Sequence, residues 1–174
     1  MSIVNLINAA WSHAWSMSPG YSILSALLAI PICYGAILGH ELAHWTTARA
    51  FGLRGSIRFF PRRHVSRVWF LSVLGVSFDD AAFSALARWQ ARCIAAAGPV
   101  WDIAFAMTCL TVWSAVPGAV WIAGGVALAG VVYFFTSGMN IIPMPLRNDA
   151  WIFLWPESAI DDKAVLKSRP PLAG

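Results

Sequence analysis

Two long stretches of this chain contain no Asp, Glu, Lys, Arg or His: 26 consecutive residues from Ala14 to Gly39, and 44 from Ile103 to Leu146. A helix that crosses a bilayer needs about 20 largely apolar residues. The first stretch therefore holds one crossing, and the second, with the residues leading into it, holds two. Over all 174 residues only 11% are charged and 59% are hydrophobic, against roughly a quarter charged in a soluble domain. The expected class is an α-helical multi-pass membrane protein with a core of three transmembrane helices.

The formal net charge of +4 does not point to nucleic acid, because the basic residues flank the apolar runs. Arg49, Arg54, Arg58, Arg62, Arg63, Arg67, Arg88 and Arg92 lie between the first and second spans, and Arg147, Lys163, Lys167 and Arg169 follow the third. The first twenty residues have no Lys or Arg. By the positive-inside rule the N-terminus is expected outside, with the Arg-rich loop and the C-terminus cytoplasmic. Cys33, Cys93 and Cys109 lack metal-ligand or redox spacing and read as buried apolar residues or free thiols. A cleavable signal peptide is not expected, since no basic segment precedes the first apolar run.

Along the chain, residues 1–20 read as an N-terminal interfacial segment, with Trp11 and Trp15 at headgroup level. A core over 21–155 follows, with spans at about 21–51, 83–116 and 119–137. Pro31 falls inside the first span and Gly52 is a plausible stop. Gly35 and Gly39 form a small-residue pair suited to close helix packing. Between the first two spans, Val68–Phe78 is uncharged but too short to cross as a helix. Its β-branched and aromatic residues suit a short membrane-associated β-hairpin or re-entrant segment. After the third span the chain is expected to break at Asn140-Ile141-Ile142-Pro143. Trp151 and Trp155 suit the inner interface, and residues 156–174 form a cytoplasmic tail. Neither a separate sensor domain nor an internal repeat is expected.

At the end of the first apolar run stands His40-Glu41-Leu42-Ala43-His44. On a helix, residues four apart share a face, so both imidazoles can reach one Zn²⁺, and Glu41 lies where a carboxylate can take a proton from water beside the metal. Ionisable groups at this depth are costly and are functional by default. A catalytic zinc needs a third protein ligand; Asp102, Asp149 and His64 are the candidates. Asp149 follows a Pro-broken segment, which at membrane depth is tolerated only beside protein or a water cavity.

These residues, together with two further stretches, resemble the site-2 protease family of intramembrane zinc metalloproteases. Gly39-His40-Glu41-Leu42-Ala43-His44, continued by Ala48-Arg49-Ala50-Phe51-Gly52, is similar to the family's first motif. Ala97-Gly98-Pro99-Val100-Trp101-Asp102 is similar to the middle motif, with Asp102 where the family usually has Asn. Asn140-Ile141-Ile142-Pro143 through Asp149-Ala150 is similar to the last, one residue longer and with Ala150 in place of the usual Gly. The resemblance implies one Zn²⁺ per chain held by His40, His44 and Asp149, with Asp102 the alternative third ligand, and Glu41 as the general base. It implies that Asn140 binds substrate backbone; capping the broken helix is its simpler role. Asp102 otherwise reads as a protonated carboxyl or a partner of an Arg such as Arg92.

The implied activity is hydrolysis of peptide bonds within or near transmembrane segments of other proteins, as in regulated intramembrane proteolysis. An edge strand from residues 56–76 could hold the unwound substrate by strand addition. The partners are then a transmembrane protein substrate and the lipid bilayer, and nothing in the sequence specifies an oligomeric state. Two rival classes are a zinc-binding but proteolytically silent membrane regulator, against which Glu41 argues, and an ion transporter, against which the hydrolase spacing argues.

Overall fold

In the computed structural model, residues 2–16, 18–59, 74–115, 120–143 and 149–156 are described. The elements run α1 (Ile3–Ser16), α2 (Pro19–Ala50), β1 (Gly55–Phe59), β2 (Leu74–Phe78), α3 (Asp80–Ser84), α4 (Arg88–Ala115), α5 (Val120–Ile141) and α6 (Asp149–Leu154). Three helices are long and apolar enough to cross a membrane: Pro19–Ala50, Arg88–Ala115 and Ile122–Ile141. The protein is a mostly helical three-span chain with a small two-stranded sheet between the first and second spans.

Local chemistry sets the boundaries. Gly52 takes a positive φ of 83° just past α2, a conformation that costs a side-chain-bearing residue about 1–2 kcal/mol. Leu53 N–H then returns to Ala48 O and Gly52 N–H to Arg49 O, both at 3.0 Å. This is a Schellman closure, and Leu53 and Ala48 bury against each other as it requires. The second span starts later than its composition suggests. Asp79 caps the short α3 by accepting the Ala82 N–H at 2.9 Å, and α4 begins afresh at Arg88, where Gln90 Oε1 accepts the Ala87 N–H at 2.9 Å. The third span ends later. Asn140 lies inside the last turn of α5, and the helix stops at Ile141 because Pro143 disfavours helical backbone at Ile142.

The fold divides into two compact units, and α2, α4 and α5 each run through both. The first comprises residues 1–39 and 100–139. Small residues recur at its contacts: Ala10 and Ala127, with Leu110 and Val131, form one buried cluster with Leu6, Ile7 and Trp113 around it. Ala36, Ala106 and Tyr133 form another. Without a hydrophobic drive between helices in lipid, close backbone approach is what such residues supply. At Gly39 a Cβ would collide with the Trp101 indole, whereas Gly35 meets nothing within 4 Å. Trp101 Nε1 donates to Ala36 O at 3.2 Å, and the Tyr133 hydroxyl donates to Cys33 O at 2.7 Å. Asp102 is 2% exposed here. The large apolar side chains Ile23, Leu27, Ile30, Tyr34 and Leu38 point outward from α2, as a lipid-facing helix requires.

The second unit comprises residues 40–99 and everything from Asn140. β1 and β2 pair antiparallel, with Gly55 opposite Phe78, Ile57 opposite Val76 and Phe59 opposite Leu74. The end of α2, the hairpin, α3 and the start of α4 share a core of Ala48, Leu53, Phe83, Ala91 and Ile94, with Phe51, Phe78 and Leu86 packed on it. Trp45 Nε1 donates to Gly55 O at 2.9 Å and ties α2 to the hairpin. His64, the remaining sequence candidate for a metal ligand, lies outside the described residues, as do the inter-span turn and the C-terminal tail.

Candidate metal centre

Three metal-ligand-type side chains of the second unit, His40, His44 and Asp149, converge on α2, with Glu41 beside them. His40 and His44 project from one face of that helix, and their Nε2 atoms stand 3.0 Å apart. Asp149, the first residue of α6, brings Oδ2 to 3.2 Å from His40 Nε2 and Oδ1 to 3.4 Å from His44 Nε2. Among the described residues this is the one group of three or more His, Cys, Asp or Glu placed to hold a metal ion. Asp102 is not part of it.

The spacing can be tested against a metal. Ligands about 2.05 Å from a tetrahedral ion stand about 3.3 Å from one another; the two Nε2 atoms are 3.0 Å apart, and each has a different Asp149 oxygen near that separation, at 3.2 and 3.4 Å. The protonation states agree as well. His44 Nδ1 lies 2.6 Å from the Ile94 carbonyl. A carbonyl can only accept, so Nδ1 carries a proton, and in the neutral ring Nε2 then offers its lone pair toward the cluster. The third observation concerns space. A Cβ at Gly98 would fall well inside contact distance of His44 Nε2 and of His40 Cε1 and Nε2. Gly98 therefore leaves room for two imidazole edges directly against the α4 backbone. Two histidines, one carboxylate and a fixed tautomer fit a four-coordinate ion with a position to spare.

Burial alone would raise the Asp149 carboxyl, but hydrogen bonds and charge from His40 and His44 outweigh it and hold the group well below the usual carboxylate range. Asp149 is thus an anion at any ordinary pH. Glu41 sits beside the cluster and is partly buried. Its Oε2 accepts the Val76 main-chain N–H from β2 at 3.0 Å. Because that N–H points to Glu41, it points away from β1. In an antiparallel pair the outward groups recur every second residue, so β2 turns the outward main-chain groups of Leu74, Val76 and Phe78 toward the same region.

Residues 27–161 match the sequence profile of Peptidase family M50. The chain belongs to that family, the site-2 protease family. The match spans well over half the sequence and takes in all three stretches on which the resemblance rests. No curated protein and no solved structure matches the chain. As an M50 member with three apolar helices, it is an integral membrane protein of a metal-dependent peptidase family.

Of the residues singled out in the M50 chain's sequence, the structure brings His40, Glu41, His44 and Asp149 together. It places Asn140, half-buried, in the last turn of α5. Arg92, considered as a partner for Asp102, instead donates from Nε to Phe153 O at 3.1 Å. Three contributors were not foreseen. Ile94 and Val76 act through main-chain atoms and leave no side-chain signal. Gly98 did leave one, as a glycine inside an otherwise helical apolar pattern, which marks a close approach.

Proposed function

We propose that this chain is a zinc endopeptidase that cuts peptide bonds within or beside transmembrane segments of other membrane proteins. The observation that carries the proposal is the triangle of His40, His44 and Asp149, with Glu41 next to it on an apolar helix. His40 and His44 through Nε2, with one Asp149 oxygen, would hold the ion. When bound, Zn²⁺ supplies Lewis acidity toward a peptide carbonyl and water.

The chain's own groups do the rest. Glu41 takes a proton from the attacking water as its oxygen bonds to the carbonyl carbon, and returns that proton to the departing nitrogen as the C–N bond breaks. His44, held by Ile94 O, and His40, seated against Gly98, stay fixed while charge changes beside them. The outer edge of β2 receives the unwound substrate as an added strand through the outward backbone groups of Leu74 and Phe78 and the Val76 carbonyl, the Val76 N–H being held by Glu41. A helical substrate has its carbonyls occupied, and pairing with that edge compensates for unwinding. Asn140, in the last turn of α5, is assigned to the substrate backbone. The N-terminus is placed outside and the Arg-rich segment inside, on the positive-inside rule.

The test is cleavage of a single-span substrate in liposomes by the full chain, alongside its Glu41→Gln variant, with zinc measured in both. Zinc near one per chain in both and cleavage by the wild type alone is the expected result. Zinc without cleavage of any transmembrane substrate would instead favour a silent regulator.

A further inference from the structure

Asp149 is the weakest-held member of the triangle as a matter of architecture. His40 and His44 ride on a 32-residue helix, while Asp149 begins a helix of six residues. So short a helix has little stability of its own in isolation. What fixes its other end therefore fixes the carboxylate.

The far end is held from α4. Trp155 N–H returns to Trp151 O at 2.9 Å, closing one carbonyl of the last turn. The Phe153 carbonyl, in the same turn, accepts from Arg92 Nε at 3.1 Å. The guanidinium carbon also lies 5.9 Å from the centre of the Phe153 ring, within cation–π range. A cation at a helix C-terminus both bonds the orphan carbonyls and meets the negative end of the dipole. Arg92 stands two residues before Ile94, whose carbonyl orients His44, and six before Gly98, which makes room for both imidazoles. One stretch of α4 thus addresses all three metal-facing side chains.

We propose that Arg92 is a positioning residue for the metal centre, anchoring the C-terminal end of α6 so that the Asp149 carboxylate stays against His40 and His44. The inference rests on the metal-site reading above and extends it to a residue outside the triangle. Arg92 touches neither the metal position nor Glu41. It acts through Asp149, and its removal is felt as a loss of metal affinity.

The experiment is chelator competition for Zn²⁺, with the visible absorption of the Co²⁺-loaded protein as a second readout, on the full chain in detergent. The variants are Arg92→Ala, Arg92→Met, Arg92→Lys, Asp149→Ala and the Arg92→Ala/Asp149→Ala pair, each checked for helicity. Arg92→Ala and Arg92→Met are expected to weaken zinc binding about 10–100-fold and to shift the cobalt spectrum toward that of Asp149→Ala. Arg92→Lys, which can still reach the carbonyl, recovers most of the affinity. In the Asp149→Ala background, Arg92→Ala adds no further loss, because the residue it serves is gone. Arg92→Met retains the aliphatic stem and keeps the test valid if Arg92→Ala does not fold. Wild-type affinity in a folded Arg92→Met, or a loss that adds to that of Asp149→Ala, overturns the proposal while leaving the zinc site standing. A wild type without zinc overturns both.

Discussion

The Glu41 carboxylate is hydrogen-bonded to the main-chain N–H of Val76, at 3.0 Å, so the proposed acid–base residue and the outer edge of the hairpin are one connected feature. Glu41→Gln keeps a carbonyl oxygen that can accept this bond but cannot carry the proton. Zinc content should be unchanged, while the rate of substrate cleavage falls by about 10²–10⁴-fold. Single-turnover cleavage assays would register this. A variant that still cuts at more than a few per cent of the wild-type rate would remove Glu41 from the mechanism.

Val76→Pro deletes the N–H without touching the register-facing side of β2, since that N–H points away from β1. Cleavage should drop with zinc affinity intact. Val76→Ala, which keeps the main-chain donor, should cleave close to the wild-type rate. Equal loss in both variants would mean that the side chain matters and the edge does not.

Gly98→Ala places a methyl group where the two imidazoles stand. Overpacking of this kind costs about 1–3 kcal/mol, and the histidines must move to accommodate it. The expected result is loss of bound zinc together with a lower unfolding temperature in detergent. Gly35→Ala is the contrasting case. Nothing lies within 4 Å of its added carbon, and alanine is the better helix former, so stability should hold or rise slightly.

Acid should displace the metal through the histidines. A carboxyl held low keeps its stabilising charge above its ordinary value and loses it only as pH falls through the lowered one. Asp149 is such a group, so it stays ionised while imidazoles, ordinarily near pH ~6.5, take up protons. Zinc affinity measured from pH 7.5 to 3.5 should fall along a histidine-like curve. A transition near pH 4 would assign the loss to a carboxylate instead.

Much of this was legible in the sequence, for reasons that can be traced to particular residues. The charge-free runs specify spanning helices because lipid tolerates little else. His40, Glu41 and His44 announce a metal site because helical spacing is fixed. Asp149 is harder: over a hundred residues separate it from His40, and only the family-like setting of Asn140 and Pro143 pointed to it over Asp102. The start of α4 at Arg88 was hidden because Asp79 and Gln90 act through local caps that composition does not weigh. Arg92 came up only as one possible partner for Asp102, because a basic residue near the membrane boundary has many possible partners; the bond the structure shows runs to a carbonyl sixty-one residues away.

The bond from His44 to the Ile94 carbonyl has a practical corollary for anyone mapping this protein by substitution. Every residue type at position 94 offers the same oxygen, so a mutational scan there would report only how well the new side chain fills the core beside Ala48 and Leu53. The contribution to imidazole orientation would be silent. Replacing the peptide unit between residues 94 and 95 by an ester weakens that oxygen as an acceptor while preserving every side chain. Such a backbone edit would make the tuning of the histidine visible as a change in metal exchange rate, at a site that conventional genetics would file under packing.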